Sequence, residues 1–204
     1  IIGASMASLC GHEKYQFLWE KTAQKVKENF SIFFIDQETE SFADCVHNDD
    51  SKDMSLRPNQ LFCITVPNIP GFSREQKQFV GTSIMEKAAY TVFEKLAFPY
   101  GVLSLSSTMY HKDAAYHNGT IWLWNSGPLV EAMCLHHEQE SVYDLSLSHA
   151  KLMQPAFSNP FTGGCAGQLS ENMDAYLSDG KVHLSGTFSQ AWSVSEFART
   201  AFVS

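Results

Sequence analysis

The sequence YHNGTIWLW, residues 116–124, is the most informative stretch of the chain, because it places stacking rings and hydrogen-bonding groups at a predicted helix start. Asn118 is of a type favoured at helix N-termini, and residues 121–135 can continue from it as an apolar helix. On a helix turning about 100° per residue, Trp122 and Trp124 would point about 200° apart. Two interpretations fit. Either one ring packs in the core while the other reaches a cavity suited to a sugar, or both rings are buried.

The composition is that of a globular domain. Of the 204 residues, 44% are hydrophobic and 18% charged, which predicts a folded, compact unit. The formal net charge is −8 and the chain contains no basic run, so the charge pattern of a nucleic-acid-binding protein is missing and a neutral or cationic ligand fits better. No apolar run reaches the roughly 18 residues that a membrane-spanning helix needs. We therefore expect a soluble protein that binds neither nucleic acid nor membrane.

Neither metal nor cofactor chemistry is expected. The five cysteines are odd in number, scattered and without a CxxC pair, which argues against a disulfide framework or a zinc site and favours a reducing, cytoplasmic location. His136 and His137 diverge by about 100° on a helix, and with His149 they lack a completing ligand at usual spacing. The absence of a GxSxG elbow and of a phosphate-cradling glycine loop weakens the serine-hydrolase and nucleotide-binding alternatives.

Helix signals recur along the chain. They predict a first helix that stops at Gly11, and then helices over residues 12–30, from Arg57, from the capping box at 73–76 to Pro99, over 118–136, over 141–157, and from the capping box at 187–190. Residues 42–56 are predicted as an acidic loop, and residues 158–186 as a long glycine-rich loop with a short β-hairpin around Asp179–Gly180. Strand signals are otherwise weak, so we predict an all-α domain with small β segments in its loops.

One-faced helices alternate with helices that begin in polar and aromatic clusters, which suggests an outer and an inner layer. Arg57, Tyr116 and Gln190 each stand at the start of a predicted inner helix. They should therefore lie at one end of the domain, around a shared cavity. Because the chain opens within a helix and without a start methionine, residues 1–204 are expected to be a single partial domain, the C-terminal portion of a longer chain.

Glu171 is the candidate general base. It lies in the glycine-rich loop, and no lysine or arginine within six residues neutralises it. A solvated loop glutamate is the alternative. Arg57 and Gln60 can bond to sugar hydroxyls, although Arg57 can equally neutralise an acid and Gln60 can cap its own helix. Spacing does not rank the remaining loop acids, which are Asp44, Asp113 and Asp174.

Five segments in order resemble the C-terminal half of the amylo-α-1,6-glucosidase domain of glycogen debranching enzymes. These segments are LRPNQLF (56–62), PYGVLSLS (99–106), DAAYHNGTIWLW (113–124), GCAGQLSENMD (164–174) and SQAWSVSEF (189–197). Their order and spacing match over residues 56–204, and residues 1–55 resemble the less distinctive region before them. The resemblance implies an (α/α)6 toroid, of which this chain would form the C-terminal half.

The resemblance also implies an activity and a site. It implies an inverting hydrolase that removes α-1,6-linked glucose at branch points of glycogen or limit dextrin. Glu171 matches the base of that family, whose general acid is an aspartate in the half-domain that would precede Ile1. The positions that line or support the glucose pocket are Arg57, Asn59, Gln60, Tyr116, His117, Trp122, Trp124, Gln190 and Trp192, with Trp122 as the expected pocket ring.

The sequence departs from the family pattern in places. The segment between Ser106 and Asp113 is shorter than in many relatives, and Asn118 and Leu123 replace an expected glutamine and proline. Two alternatives therefore stay open. One is another inverting α-glucoside hydrolase of the same architecture, and the other is a noncatalytic glucan-binding module.

Overall fold

The computed structural model describes residues 2–66, 82–106, 115–153, 161–175 and 182–201. The chain divides into two compact units, Ile1–Met54 and Ser55–Ser204. Some sequence predictions lie outside the described residues, namely the capping box at 73–76, Asp113 and the hairpin tip at 179–180.

The first unit begins with two helices. α1 (Ile2–Leu9) stops at Gly11, whose φ of 71° lies in the left-handed region that favours glycine. The backbone N–H of His12 reaches back to the carbonyl of Ala7 at 2.8 Å and closes the helix end. α2 (Glu13–Phe34) follows and runs four residues beyond its predicted end. Both predicted helices and the stop at Gly11 are confirmed.

Two short hairpins complete the first unit, and they correct the prediction of an acidic loop over 42–56. β1 (Ile35–Asp36) pairs antiparallel with β2 (Ser41–Phe42), and β3 (Cys45–Val46) pairs antiparallel with β4 (Lys52–Asp53). The Asp36 carboxylate accepts bonds from the backbone N–H and the hydroxyl of Thr39, each at 2.7 Å, and so stabilises the first turn. Two-residue strands are too short to show alternation in a sequence, which is why they were missed.

The second unit contains five helices within the part of the chain that the structure describes. They are α3 (Phe62–Thr65), α4 (Thr82–Leu96), α5 (Ser126–Leu135), α6 (Gln139–Leu152) and α7 (Ala191–Thr200). A 3-10 turn, Pro58–Leu61, leads into α3 with proline at its first position, as predicted. α4 ends before Pro99, and α5 packs against α6 in the predicted helical hairpin.

The predicted helix over 118–136 is wrong over its first eight residues. Residues Ile121–Trp122 form strand β7, Leu123–Asn125 form a 3-10 turn, and only Ser126 begins α5. Asn118 is therefore not a helix cap. It lies in a turn that is closed by bonds from the N–H groups of Asn118 and Thr120 to the carbonyl of Ala115, at 2.9 and 3.0 Å. Ile121 is a β-branched residue that prefers strands when a partner strand is available.

The capping box predicted at 187–190 is also wrong. The N-cap of α7 is Gln190, whose backbone is extended and whose side chain makes no capping bond to the helix backbone. Instead, the hydroxyl of Ser193 donates to Gln190 Oε1 at 2.7 Å. Thr187, the predicted cap, bonds through its backbone to Glu171. The pattern of a cap was present, but tertiary contacts determined where the helix begins.

A sheet lies among the helices of the second unit, so the all-α prediction is incomplete. Its strands are β5 (Ala97–Phe98), β6 (Gly101–Leu103), β7 (Ile121–Trp122), β8 (Phe161–Thr162), β9 (Asn172–Met173) and β10 (Val182–Ser185). Five of them pair antiparallel in the order β5, β6, β7, β9, β10, and β8 pairs in parallel with β10. The predicted hairpin in the glycine-rich loop corresponds to β9 and β10. Each strand has two to four residues, and pairing between distant segments builds the sheet.

The core of the second unit lies on this sheet. Ile121, Leu123 and Leu169 are fully buried, and Met173 is nearly so. A Cβ at Gly101 would collide with the Ile121 side chain, so glycine lets β6 approach β7 closely. The buried strands thus hold fixed the short segments that precede β7 and β9.

His149 on α6 predicts how stability depends on pH. Burial lowers the pKa of His149 from an ordinary 6.5 to about 4, although a bond to the Tyr100 carbonyl at 3.0 Å opposes the shift. The unfolded chain therefore binds a proton first as the pH falls. The stabilising contribution is complete above pH 6.5 and is lost between pH 6.5 and about 4, to a total of about 3 kcal/mol.

His149→Gln should flatten this dependence, because glutamine can donate to the Tyr100 carbonyl without titrating. The measurement is the free energy of unfolding between pH 4.5 and 7.5. His12→Gln, at an exposed histidine, is the control and should keep the wild-type slope. An unchanged slope in His149→Gln would contradict the assignment.

Candidate active site

Glu171 stands immediately before β9, and donors from two other segments hold its carboxylate. The hydroxyl of Tyr116 donates to Oε1, and the backbone N–H of Thr187 donates to Oε2 at 2.9 Å. The backbone N–H of Glu171 in turn donates to the Thr187 carbonyl at 2.8 Å. Glu171 is half-buried. The candidate base is therefore a fixed side chain rather than a solvated loop glutamate.

These donors favour the ionised form of Glu171. The Tyr116 hydroxyl contributes most to holding the pKa of Glu171 below its ordinary value, and the N–H of Thr187 comes next. Partial burial opposes them, and the nearby His117 ring adds a small effect in the lowering direction. The same bond raises the pKa of Tyr116, so its hydroxyl keeps its proton and remains a donor. Glu171 can thus accept a proton at neutral pH.

Tyr116, His117 and Trp122 form a group of three rings beside Glu171, which we call the aromatic cluster. His117 and Trp122 stack with centroids 5.1 Å apart, and Tyr116 meets Trp122 edge to face at 4.9 Å. The Trp122 indole N–H donates to the Tyr116 carbonyl at 2.7 Å. Tyr116 is 40% exposed and Trp122 only 9%. Trp122 is therefore the base of the cluster, and Tyr116 and His117 are its accessible side.

Arg57 stabilises, through hydrogen bonds, the turn that carries Tyr116 and His117 of the aromatic cluster. Its Nη1 donates to the carbonyls of His117 at 2.6 Å and Ser104 at 3.2 Å, and its Nη2 donates to Asn118 Oδ1 at 2.9 Å. The hydroxyl of Ser104 accepts the Gly119 N–H at 2.9 Å. The planar guanidinium fork suits such convergent acceptors. In this structure Arg57 thus supports the site by holding its backbone.

A second group of rings, which we call the tryptophan stack, contains Trp124, Trp192 and Phe62. Trp124 and Trp192 stack with centroids 4.0 Å apart, and Phe62 stacks on Trp124 at 5.9 Å. Trp192 is 50% exposed. The structure therefore divides the predicted aromatic positions between two clusters. This outcome agrees with the expectation that Trp122 and Trp124 diverge, although the geometry is a strand followed by a 3-10 turn.

The remaining predicted site residues have local roles in the structure. Gln60 Nε2 donates to the Arg57 carbonyl at 3.2 Å. The side chain of Gln60 thus bonds within its own 3-10 turn, which is the second of the two roles that the sequence left open for it. Asn59 is exposed in the same 3-10 turn. The backbone N–H of Gln190 donates at 2.9 Å to the carbonyl of Leu169, two residues before Glu171. The start of α7 at Gln190 is thus close to Glu171 in the fold.

Sequence reasoning missed Gly186, Thr187, Ser104 and Phe62. Thr187 contacts Glu171 through its backbone, and backbone donors have no side-chain signature. Gly186 did carry a signal, because an isolated glycine after a strand suggests a bulge or a close approach. Ser104 lies within the quoted PYGVLSLS segment but is of a type common in any loop.

Two of the other candidates have different surroundings within the described residues. His149 is buried against the Tyr100 carbonyl, and Asp44 belongs to the first unit. Within the described ranges, no group of three or more His, Cys, Asp or Glu side chains is placed to hold a metal ion. In the same ranges, the helices are too short or too polar to span a bilayer.

Comparison with known proteins identifies the class of enzyme domain to which the chain belongs. A sequence-family profile described as Amylo-alpha-1,6-glucosidase matches residues 4–199, nearly the whole chain. The ionisable carboxylate and aromatic cluster thus lie in a domain of the glycoside hydrolase type. The chain belongs to the amylo-α-1,6-glucosidase family, a domain of glycogen debranching enzymes, and the resemblance noted in its motifs is confirmed. A search of curated proteins found no match.

Arg57→Lys should loosen the turn at 115–120, because an ammonium group cannot reproduce the fork of Arg57 to three acceptors. Amide hydrogen exchange at Gly119 and Thr120 should accelerate about ten-fold, as expected for losing one or two hydrogen bonds. Arg199→Lys is the matched control, since Arg199 bonds to Glu131 and Glu196 instead. Equal exchange in both variants would show that the fork does not hold the turn.

Proposed function

We propose that this chain carries the catalytic base of an inverting α-1,6-glucosidase, and that Glu171 is that base. One observation carries the proposal, namely the carboxylate of Glu171 held ionised by neutral donors beside the aromatic cluster. Family membership supports an α-glucan substrate and a debranching role. The substrate we propose is the single α-1,6-linked glucose at a branch point of glycogen or limit dextrin.

In the proposed reaction, Glu171 removes a proton from a water molecule while the water oxygen attacks the anomeric carbon. The glycosidic C–O bond breaks on the opposite face of the sugar, and a protonated carboxylic acid donates to the departing oxygen. The products are free glucose with inverted configuration and a linear α-1,4 glucan. The two carboxyl groups must lie about 6.5–9.5 Å apart to leave room for the water.

The general acid is proposed from the family resemblance alone. It would be an aspartate from the half of an (α/α)6 toroid that precedes these residues, and the seven described helices would belong to the other half. This chain then supplies the base and one wall of the glucose site. The five cysteines are free thiols, which supports a reducing, cytoplasmic location for the reaction.

The aromatic cluster suits the wall of a sugar site. Aromatic faces pack on the C–H groups of a pyranose, and their polar atoms bond to its hydroxyls. Tyr116 and His117 combine an exposed ring with a hydrogen-bonding group, and Trp122 supports them from below. The exposed Trp192 of the tryptophan stack is a second surface on which a glucan can pack.

Glu171→Gln tests the base. In the full-length protein, release of glucose from phosphorylase-trimmed glycogen should fall about 10²–10⁴-fold, the usual contribution of a general base. Glucan affinity should change little, because glutamine keeps the shape of the side chain. Glu140→Gln, at an exposed glutamate of α6, is the control and should retain activity. Wild-type turnover in Glu171→Gln would refute the assignment, and binding without any glucose release by the wild type would indicate a noncatalytic module.

A linkage panel tests the substrate. The wild-type protein should release glucose from an α-1,6 branch in preference to α-1,4 and α,α-1,1 glucosides. The anomer released first, followed by NMR, should be β if the reaction inverts the α-linkage. Preference for another linkage would favour a different inverting α-glucoside hydrolase of the same family architecture.

A further inference from the structure

The chain opposite Glu171 contains one extra residue. Antiparallel pairing of β9 with β10 ends at Asn172 and Ser185. The next bond runs from the Glu171 N–H to the Thr187 carbonyl and passes over Gly186. Gly186 and Thr187 therefore both stand opposite Glu171, and Gly186 has a φ of 71°. This is the arrangement of a β-bulge with glycine at its left-handed position.

The bulge determines where the Glu171 carboxylate can lie. A Cβ at Gly186 would stand 2.5 Å from Glu171 Oε2 and 2.8 Å from Glu171 Cβ, so only glycine leaves room for the carboxylate over the turn. The extra residue also moves Thr187 forward, where its N–H donates to Oε2 at 2.9 Å. Glu171 and Thr187 thus exchange a side-chain bond and a backbone bond, which restrain the base at both ends.

Tyr116 holds the other carboxylate oxygen. Its ring is wedged edge to face against both His117 and Trp122, with centroids 4.7 and 4.9 Å away. Its backbone carbonyl accepts the Trp122 indole N–H. The hydroxyl that reaches Oε1 therefore comes from a side chain whose ring and backbone are both fixed.

We propose that Tyr116 and the bulge at Gly186–Thr187 are positioning groups that aim the Glu171 carboxylate, a role that rests on Glu171 being the base. A carboxylate has about four lone-pair sites, and these two donors fill two of them. The Thr187 side chain adds a third, weaker bond, and the lone-pair site that remains would accept the proton of the attacking water. Tyr116 keeps its proton while Glu171 takes one from the water, so neither donor is consumed in the step. In this role Tyr116 contacts the base in addition to any contact with glucose.

Tyr116→Phe tests the phenolic donor by its pH profile. Among the described residues, the titratable side chains that act on Glu171 are Tyr116 and His117. Removing the hydroxyl removes the largest cause that lowers the pKa of Glu171, so the acid limb of kcat/KM should move to higher pH. The kcat value should nevertheless fall about ten-fold, because the carboxylate loses a donor that holds its direction toward the attacking water. KM should change less than kcat.

Gly186→Ala tests the bulge, and Gly11→Ala is its matched control. Both glycines have a φ of 71°, but a Cβ at Gly11 meets nothing within 4 Å. Both variants should therefore lose similar thermal stability from backbone strain, while only Gly186→Ala should lose turnover, because its methyl group displaces the carboxylate. Both must be compared at a temperature where circular dichroism confirms that each is folded.

The outcomes separate this inference from the proposed function. Wild-type turnover in Glu171→Gln overturns the base itself and the inference with it. If Glu171→Gln is inactive but Tyr116→Phe keeps the wild-type acid limb, the positioning role of Tyr116 is overturned while the base stands. If Gly186→Ala has the turnover of Gly11→Ala, the role of the bulge is overturned in the same way.

Discussion

The antiparallel pairing of β7 with β9 is the constraint on which the candidate site depends. It aligns Trp122 with Asn172, so Glu171, the residue before β9, lies beside the end of β7 that carries Trp122. Ile121 and Met173, the neighbouring pair, are buried in the core. Because a slip of one residue would exchange the faces of the strand, apolar burial fixes the register and thereby the direction of Glu171. The geometry of the candidate chemistry thus follows from hydrophobic packing.

Neutral donors hold the carboxylate of Glu171, the candidate base. Within the described part of the chain, the bonds that lower its pKa come from a tyrosine hydroxyl and from Thr187 rather than from a lysine or arginine. A lysine or arginine in the same place would lower the pKa further and weaken the carboxylate as a proton acceptor. Arg57, a cation within the family motifs, donates to the carbonyls of Ser104 and His117 and to the side-chain amide oxygen of Asn118. Its guanidinium group thus stabilises the turn.

The sequence predicted the helices better than it predicted the sheet, for a physical reason. α4 was predictable because Ile84, Ala88, Val92 and Leu96 repeat along one face and Pro99 ends the pattern. β7 was not, because a two-residue strand has no period, and Ile121 and Trp122 fit an apolar helix equally well. Motif resemblance singled out Glu171, Tyr116, His117 and Trp122, and the structure brings these four side chains together. The contacts of Glu171 with Thr187 and Gly186 could not be predicted, since Thr187 bonds mainly through its backbone and Gly186 matters for its missing side chain.

The contacts that build the site join segments that are far apart in the chain. Tyr116 and Glu171 are 55 residues apart, and Arg57 and Asn118 are 61 residues apart. Closing such long loops costs entropy before any contact repays it, so these bonds should form late in folding, after local helices such as α4 and α6. The site is therefore complete only when the whole second unit has folded. A partly folded chain can retain most of its helices and still have no aligned carboxylate.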